Sequence, residues 1–319
     1  MKRSHKKMVL RSVMAVLVIS LALALFLFWP VIRSASSVER LEDGLYSMEY
    51  SGDYGLEAFI DQGGGSSDMA VAGFVIDRLF HGVVNLDLQG SPFGCSTLSI
   101  PGPDCAQLFG RNFDWGACAT LIVQTYPKSG YASISTVKMI EDRPGFDQYT
   151  EKPDLTTTTA VRLLLDKAAS VDEALDLLRQ YDLHASAGMM VHFAIADTSG
   201  RSVAVEYVNN EMSVVETPIV TNFYLTPGEK YGIGTEESHR RYEILAEALA
   251  DHPSMTAEKV RDAMDSVSKH NFDSVFASTE WSIVFDQTSG EARYYHRENF
   301  ENAYVFRFGQ QVALCWKAI

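Results

Sequence analysis

Cysteine is scarce in this chain: four in 319 residues, three of them between positions 95 and 118, and no two in a CxxC pair. That is too few and too clustered for a disulfide framework, so a catalytic thiol with bystanders is the better reading. Cys105 and Cys118 are read as free or buried thiols, with a disulfide between them as the alternative. Positive charge is short as well. Lys and Arg number 27 against 41 Asp and Glu; residues 1–33 hold six of those cations and no acid, which leaves −20 on the rest. So acidic a surface argues against nucleic acid or anionic lipid headgroups as partners. Internal repeats, low-complexity tracts and a Rossmann-type βαβ repeat are all missing, and no histidine sits in a motif that ties it to Cys95. A Cys-His protease therefore has little to rest on.

What is present is ordinary globular composition, 46% hydrophobic and 21% charged, which is enough to bury one good core. Lys2, Arg3, Lys6, Lys7 and Arg11 precede an apolar run over 13–32. Roughly 20 such residues span a bilayer as a helix, and basic residues ahead of the run keep that end cytoplasmic. Segment 1–33 is expected to be an uncleaved transmembrane anchor; the alternative is a signal peptide cut near Ser34-Ala35-Ser36. Either one places the functional part outside the cytoplasm, on the cell membrane as a single-pass protein or secreted. Residues 34–94 form a polar, Gly-rich lead-in with an amphipathic helix over 68–80, read as a small subdomain or a propeptide. The remainder, 95–319, is expected to be one catalytic-sized domain.

Within that domain, strand-like runs at 121–126 and 131–140 lead to helical periodicity over 156–169 and 170–180, where Ser170 and Glu173 make a capping-box pattern. A β-meander follows at 192–196, 203–207 and 212–216, then helices over 236–250 and 256–268. Strands close the chain at 281–285, 293–296, 304–308 and 312–315. This order predicts an α+β layered protein.

Chemistry concentrates at Gly94-Cys95-Ser96-Thr97-Leu98-Ser99-Ile100 and Leu108-Phe109-Gly110-Arg111-Asn112-Phe113-Asp114-Trp115. Pro101-Gly102-Pro103-Asp104 between them suits a tight antiparallel reversal, which brings Arg111 and Asp114 back toward Cys95. A nucleophilic cysteine needs its thiolate, hence a base. If Cys95 becomes the first residue of its chain, its own α-amine, with a pKa near 8, supplies that base. Such a device needs a carboxylate for the amine and a cation near the thiolate, the types of Asp114 and Arg111. The plainer reading keeps Cys95 as a small core residue and Arg111 and Asp114 as a surface ion pair.

Cys95 followed by Phe109-Gly110-Arg111-Asn112-Phe113-Asp114-Trp115 resembles the start of the mature chain in the choloylglycine hydrolase, or linear amide C–N hydrolase, family of N-terminal-nucleophile enzymes. His192-Phe193-Ala194-Ile195-Ala196-Asp197-Thr198-Ser199-Gly200, Val203-Ala204-Val205-Glu206-Tyr207 and Val220-Thr221-Asn222 are similar to its central meander. His239-Arg240-Arg241-Tyr242 resembles the segment that supplies a second active-site arginine, with Arg241 the better match and Arg240 the fallback. The resemblance implies a four-layer αββα sandwich and no metal or organic cofactor. It implies these roles: Cys95 as nucleophile and base, Asp114 on its amine, Arg111 beside the thiolate, Asn222 donating to the oxyanion, and Arg241 completing the network.

Two departures accompany it. The family's asparagine-bearing segment between the hairpin and the helical pair has no counterpart, since no asparagine occurs from Phe113 to Val208 and the chain runs abruptly from Lys138 to Asp154. Cys95 is also internal, so the Gly94–Cys95 bond must be cut, by attack of the Cys95 thiol on the Gly94 carbonyl. The expected function is a cysteine N-terminal-nucleophile amidohydrolase cleaving N-acyl compounds of bile-salt, penicillin V or N-acyl amino acid type through a thioester. A catalytically impaired surface binder of acyl or sterol ligands and an acyltransferase are the alternatives. Expected partners are a small N-acyl amide and, through the N-terminal segment only, the membrane; a homo-oligomer is left open.

Overall fold

The computed structural model describes residues 2–51, 53–80, 94–115, 120–126, 134–139, 150–186, 191–270 and 278–307. In chain order these form α1 (Lys2–Ser36), β1 (Glu39–Glu42), β2 (Leu45–Ser51), α2 (Leu56–Asp61), α3 (Asp68–Phe80), β3 (Gly94–Pro101), a 3-10 turn at Pro103–Cys105, β4 (Gln107–Trp115), β5 (Thr120–Tyr126), β6 (Ile134–Met139), β7 (Asp154–Thr156) and α4 (Thr157–Lys167). Then come α5 (Val171–Leu178), β8 (Asp182–His184), β9 (Val191–Ala196), β10 (Ser202–Val208), β11 (Glu211–Glu216), β12 (Ile219–Val220), α6 (Glu236–Asp251), α7 (Ala257–Ser266), β13 (Ser278–Asp286), β14 (Glu291–His296) and β15 (Tyr304–Arg307). The expected strand at 312–315 lies outside the described residues, as do residues 140–149 of the abrupt connection.

The described residues of Met1–Tyr54, Ile76–Val84 and Ala119–Lys128 form one compact unit. Its sheet has β2 in the middle, antiparallel to β1 and parallel to β5. Val16, Leu17, Ile19 and Phe26 of α1 are exposed. Among the described residues no helix is long and apolar enough to cross a membrane, so the anchor rests on the residue sequence of 1–33 alone.

The second unit, from the described residues of Gly55–Val75, Asn85–Cys118 and Ser129–Ile319, holds two large sheets besides the two-stranded pair of β7 and β8. One runs β12-β3-β4-β13-β14-β15 and the other β11-β10-β9-β6. Side chains alternate along a strand, so β3 and β4 send Leu98, Ile100 and Leu108 to one face, where Leu245 of α6 and Val260 and Met264 of α7 cover them. Phe109 on the opposite face meets Ala194, Ala196 and Ala204 of the second sheet. The outer face of that sheet buries Phe193, Ile195, Val203 and Val205; α4 lies against β6 and α5 against β9. The order is helices, sheet, sheet, helices, a mixed α and β sandwich. Gly110 makes one close approach possible: a Cβ there would lie 2.8 Å from Val260 Cγ1 and 2.9 Å from Met264 Cγ, so only glycine lets α7 rest on β4.

Local signals set the helix starts. Thr156, Ser170, Thr235 and Thr256 cap α4, α5, α6 and α7 by accepting from the amide three residues on, each cap contributing about 1 kcal/mol. Glu173 reaches back to the Ala169 amide, one residue before the cap. Cys105 corrects a sequence expectation: it is disulfide-bonded rather than free, with its partner outside the described residues. It sits at the hairpin tip with φ +62°, away from either core, where spacing along the chain carries no information about which thiol comes alongside.

Candidate active site

The site is built at one end of the β3–β4 hairpin in the second unit. Antiparallel register pairs Cys95 with Phe113 and Thr97 with Arg111, so all four share the face that looks toward the other sheet. Gly94 pairs with Asp114 and Ser96 with Asn112, which puts those side chains on the α6–α7 face. A two-residue offset between Cys95 and Thr97 is what brings the Arg111 fork under the thiol, with Nη2 3.5 Å from Cys95 Sγ. Cys95 itself is fully buried.

Arg241, buried on the inner side of α6, ties the pieces together. Its Nη1 donates to Asp114 Oδ2 at 2.8 Å and to Ser96 Oγ at 2.8 Å, and its Nη2 donates to Asn222 Oδ1 at 2.9 Å. Asn222 Oδ1 also accepts from the Cys95 main-chain nitrogen at 3.2 Å. Asp114 Oδ1 takes the Thr279 hydroxyl at 2.7 Å. The structure thus brings Cys95, Arg111, Asp114, Asn222 and Arg241 into one hydrogen-bonded network, while Arg240, one residue away, is exposed. One difference from the sequence reading concerns Asp114: in the uncleaved chain Arg241 and Thr279 engage its two oxygens, and it is Asn222 that meets the Cys95 nitrogen.

Three further residues belong to the site and were not singled out from the sequence. Thr279 and Trp281 come from β13, which pairs with β4 through Thr279↔Asp114 and Trp281↔Phe113. Trp281 stacks on Phe113 at 4.9 Å, and the Arg111 guanidinium lies 4.8 Å from the Trp281 ring centroid. Such a cation–π contact is worth about 0.5–2 kcal/mol and holds Arg111 against the thiol. Ser96 follows Cys95 directly, and only its pairing with Arg241 marks it out.

The strap 221–226 that carries Asn222 is pinned from the second sheet. His192 Nε2 lies 2.8 Å from the Thr221 carbonyl and its Nδ1 lies 2.9 Å from Glu206 Oε1. Glu206 in turn accepts from the Leu225 and Thr226 amides at 2.9 and 2.8 Å. Both side chains are fully buried. At Gly234, beside the strap, a Cβ would meet Phe223 Cβ at 2.3 Å and the Asn222 carbonyl at 2.5 Å, so no larger residue fits there without moving Asn222. Burial pushes the Glu206 carboxyl up, yet hydrogen bonds and charge from His192, with bonds from Thr226 and Leu225, outweigh it and hold the group below its ordinary 4.5.

A carboxylate whose pKa is depressed by folding stabilises the fold fully above its unfolded value and loses that contribution as pH falls through the folded value. The gap in melting temperature between wild type and Glu206→Gln should therefore be widest above pH 4.5 and narrow on acidification below it. A gap that stays constant across an acid titration followed by circular dichroism would remove Glu206 from this role.

Among the described residues one group has metal-ligand spacing, Asp154, Asp182 and His184, and it lies apart from the Cys95 network. Residues 150–300 match the acyl-coenzyme A:6-aminopenicillanic acid acyl-transferase family. No curated protein matches the chain at a significant level. Among solved structures, the chain is similar to a mutant conjugated bile acid hydrolase from Clostridium perfringens, with TM-score 0.48 and 11% identity over 70% of this chain and 99% of that one. It is also similar to penicillin V acylase from Agrobacterium tumefaciens, with TM-score 0.46 and 15% identity over 66% of this chain and 84% of that one.

Proposed function

We propose, from the Cys95 network and the match of residues 150–300 to the acyl-coenzyme A:6-aminopenicillanic acid acyl-transferase family, a cysteine amidohydrolase of choloylglycine-hydrolase-like N-terminal-nucleophile type that cleaves the linear amide of an N-acyl compound through a thioester on Cys95. The observation that carries this reading is that both reactive ends of one residue have fixed partners: Sγ lies beside Arg111, and the main-chain nitrogen lies on Asn222. The Cys95 thiol first attacks the Gly94 carbonyl, the peptide C–N bond breaks, and water hydrolyses the resulting ester of sulfur. This frees an α-amine at Cys95. The amine then takes the Sγ proton, the thiolate attacks the substrate carbonyl, and the proton passes to the leaving nitrogen as the amide bond breaks. Water releases the acyl group from sulfur.

Each neighbour has a role in these steps. Asn222 accepts at Oδ1 from Cys95 N and Arg241, and its amide NH2 is the group that would donate to the oxyanion in this scheme, a contact typically worth about 3 kcal/mol of barrier. Arg111 complements the thiolate, and Asp114 with Arg241 holds the frame around the new amine. The lead-in 34–94 would stay bound after the cut, because β2 pairs along its length with β5 and Gly63 and Gly65 hydrogen-bond the Asp154 backbone. Substrates of bile-salt, penicillin V or N-acyl amino acid type suit the scheme.

An extracytoplasmic location, by anchor or signal over 1–33, is supported by the disulfide at Cys105, since such bonds persist in oxidising compartments. A second reading, transfer of the acyl group to an amine, shares the first half-reaction and is favoured by the matched family's acyl-transferase description. Intact-mass analysis with iodoacetamide, run beside hydrolysis of a panel of N-acyl amides with and without an added amine, tests all of this. The expected result is a chain that begins at Cys95, takes one alkyl group and loses turnover. An uncleaved, unreactive Cys95 with no turnover would instead favour a non-catalytic ligand binder.

A further inference from the structure

The two-stranded parallel sheet of β7 and β8 carries a cluster that acyl chemistry at Cys95 leaves unused. Its register pairs Asp154 with Asp182 and Thr156 with His184, and alternation puts Asp182 and His184 on the same face. There His184 Nε2 lies 3.1 Å from Asp154 Oδ1 and 3.9 Å from Asp182 Oδ1. Asp182 is 1% exposed. Its Oδ2 takes the Thr150 amide, while Oδ1, the oxygen turned toward His184, is buried with no hydrogen-bond partner among the described residues. A charged oxygen left this way is costly. A proton on His184 Nε2 is directed to Asp154 and at 3.9 Å makes no hydrogen bond to Asp182.

A divalent cation satisfies all three groups at once. It neutralises two carboxylates and takes the lone pair of a neutral imidazole. Bonds of about 2.0–2.2 Å place tetrahedral ligand atoms about 3.3 Å apart, a value that the separations of 3.1 and 3.9 Å bracket. An imidazole nitrogen among carboxylates selects a first-row metal such as zinc over calcium or magnesium, which take oxygen ligands. Asp154 is 39% exposed and leaves one side open for entry and a water. Its backbone is clasped by the glycine loop, with Asp154 N donating to Gly63 O at 2.9 Å and Gly65 N donating to Asp154 O at 3.0 Å. Gly64 has φ +74°, and a Cβ there would lie 1.8 Å from Asp154 O, so glycine is required for the clasp. The geometry points to a structural site for one first-row divalent cation at Asp154, Asp182 and His184, cross-linking β7 to β8 next to the 63–65 loop.

Zinc titration of the chelator-treated full chain tests it, with Cys95→Ser as background so that the thiol takes no metal. One zinc per chain should bind and raise the melting temperature by about 5–10 °C at a hundredfold excess over its dissociation constant, while calcium and magnesium do not. His184→Gln and Asp182→Asn should lose both effects. Should the buried Asp182→Asn chain fail to fold, Asp154→Asn at the exposed position is the second variant, expected to melt within about 2 °C of its background without zinc and to bind zinc at least about tenfold more weakly. Absence of a zinc-dependent rise, an equal rise with calcium, or one-to-one zinc binding that survives Asp154→Asn and His184→Gln would each overturn the site.

Discussion

Replacing Cys95 by alanine should leave a chain that keeps every residue before position 95 and turns over no N-acyl amide, with activity down by roughly 10^4–10^6-fold, the range for deleting a nucleophile. The size of the effect follows from the double use of one residue in the proposed reaction, where Sγ both cuts the Gly94–Cys95 bond and carries the acyl group. Folding should survive, because the lost atom is small and Phe109, Leu98 and Ile100 around the hairpin keep their packing. Mass spectrometry of the purified chain and a coupled amide assay read the two outcomes separately. Alanine at position 95 with cleavage at the wild-type rate would assign the cut to another protease; with turnover intact, it would end the thioester mechanism.

Arg241→Ala should be the most destabilising single change in the site. Asp114 is fully buried, and Arg241 supplies its counter-charge while also serving Ser96 and Asn222. Removing one partner of a buried pair typically costs about 3–5 kcal/mol, which for a domain of this size lowers the melting temperature by about 10 °C. Arg241→Lys keeps a charge near Asp114 but loses the planar fork that reaches Asn222 as well, so turnover should fall more than stability. Arg241→Met combined with Asp114→Leu should recover part of the melting temperature and none of the turnover. An Arg241→Ala protein that melts within 2 °C of wild type would show that the pair does not hold the frame.

The resemblance also sharpens what the asparagine gap means. No asparagine occurs between Phe113 and Val208, so Asn222 is the side-chain amide brought to Cys95 among the described residues. Its strap is fixed by a buried His192–Glu206 pair rather than by a second asparagine segment. Oxyanion stabilisation in the proposed reaction then depends on how rigidly that strap is held, which links the acid sensitivity argued for Glu206 to turnover.

Much of the fold is legible because its signals are local. Serine and threonine caps mark where α4 to α7 start, alternation marks β9 to β11, and Asn209 and Asn210, both with φ above +50°, suit the reversal between β10 and β11. The hairpin is readable from its proline and glycine cluster, which returns Arg111 and Asp114 toward Cys95, while the register that puts Arg111 on the face of Cys95 and Asp114 on the other comes from the pairing of β3 with β4. Other features carry no such mark. Strands of two or three residues, β12, β7 and β8, are too short for a period, and β2 with β5 joins segments that neighbour each other only after folding. The disulfide of Cys105 belongs with these.

The hairpin around Cys95 shows where the division falls. By itself the sequence determined the thiol, the reversal, and the arginine and aspartate that the reversal returns, because residue type, turn chemistry and strand alternation act within about twenty residues. Only the tertiary structure decided that Asp114 is held by Arg241 and Thr279, that Trp281 backs Arg111, and that Asn222 meets the nitrogen of Cys95. Those contacts join positions 127 to 170 residues apart, and their register is set by the packing of α6 and β13 on the hairpin, which no local pattern encodes.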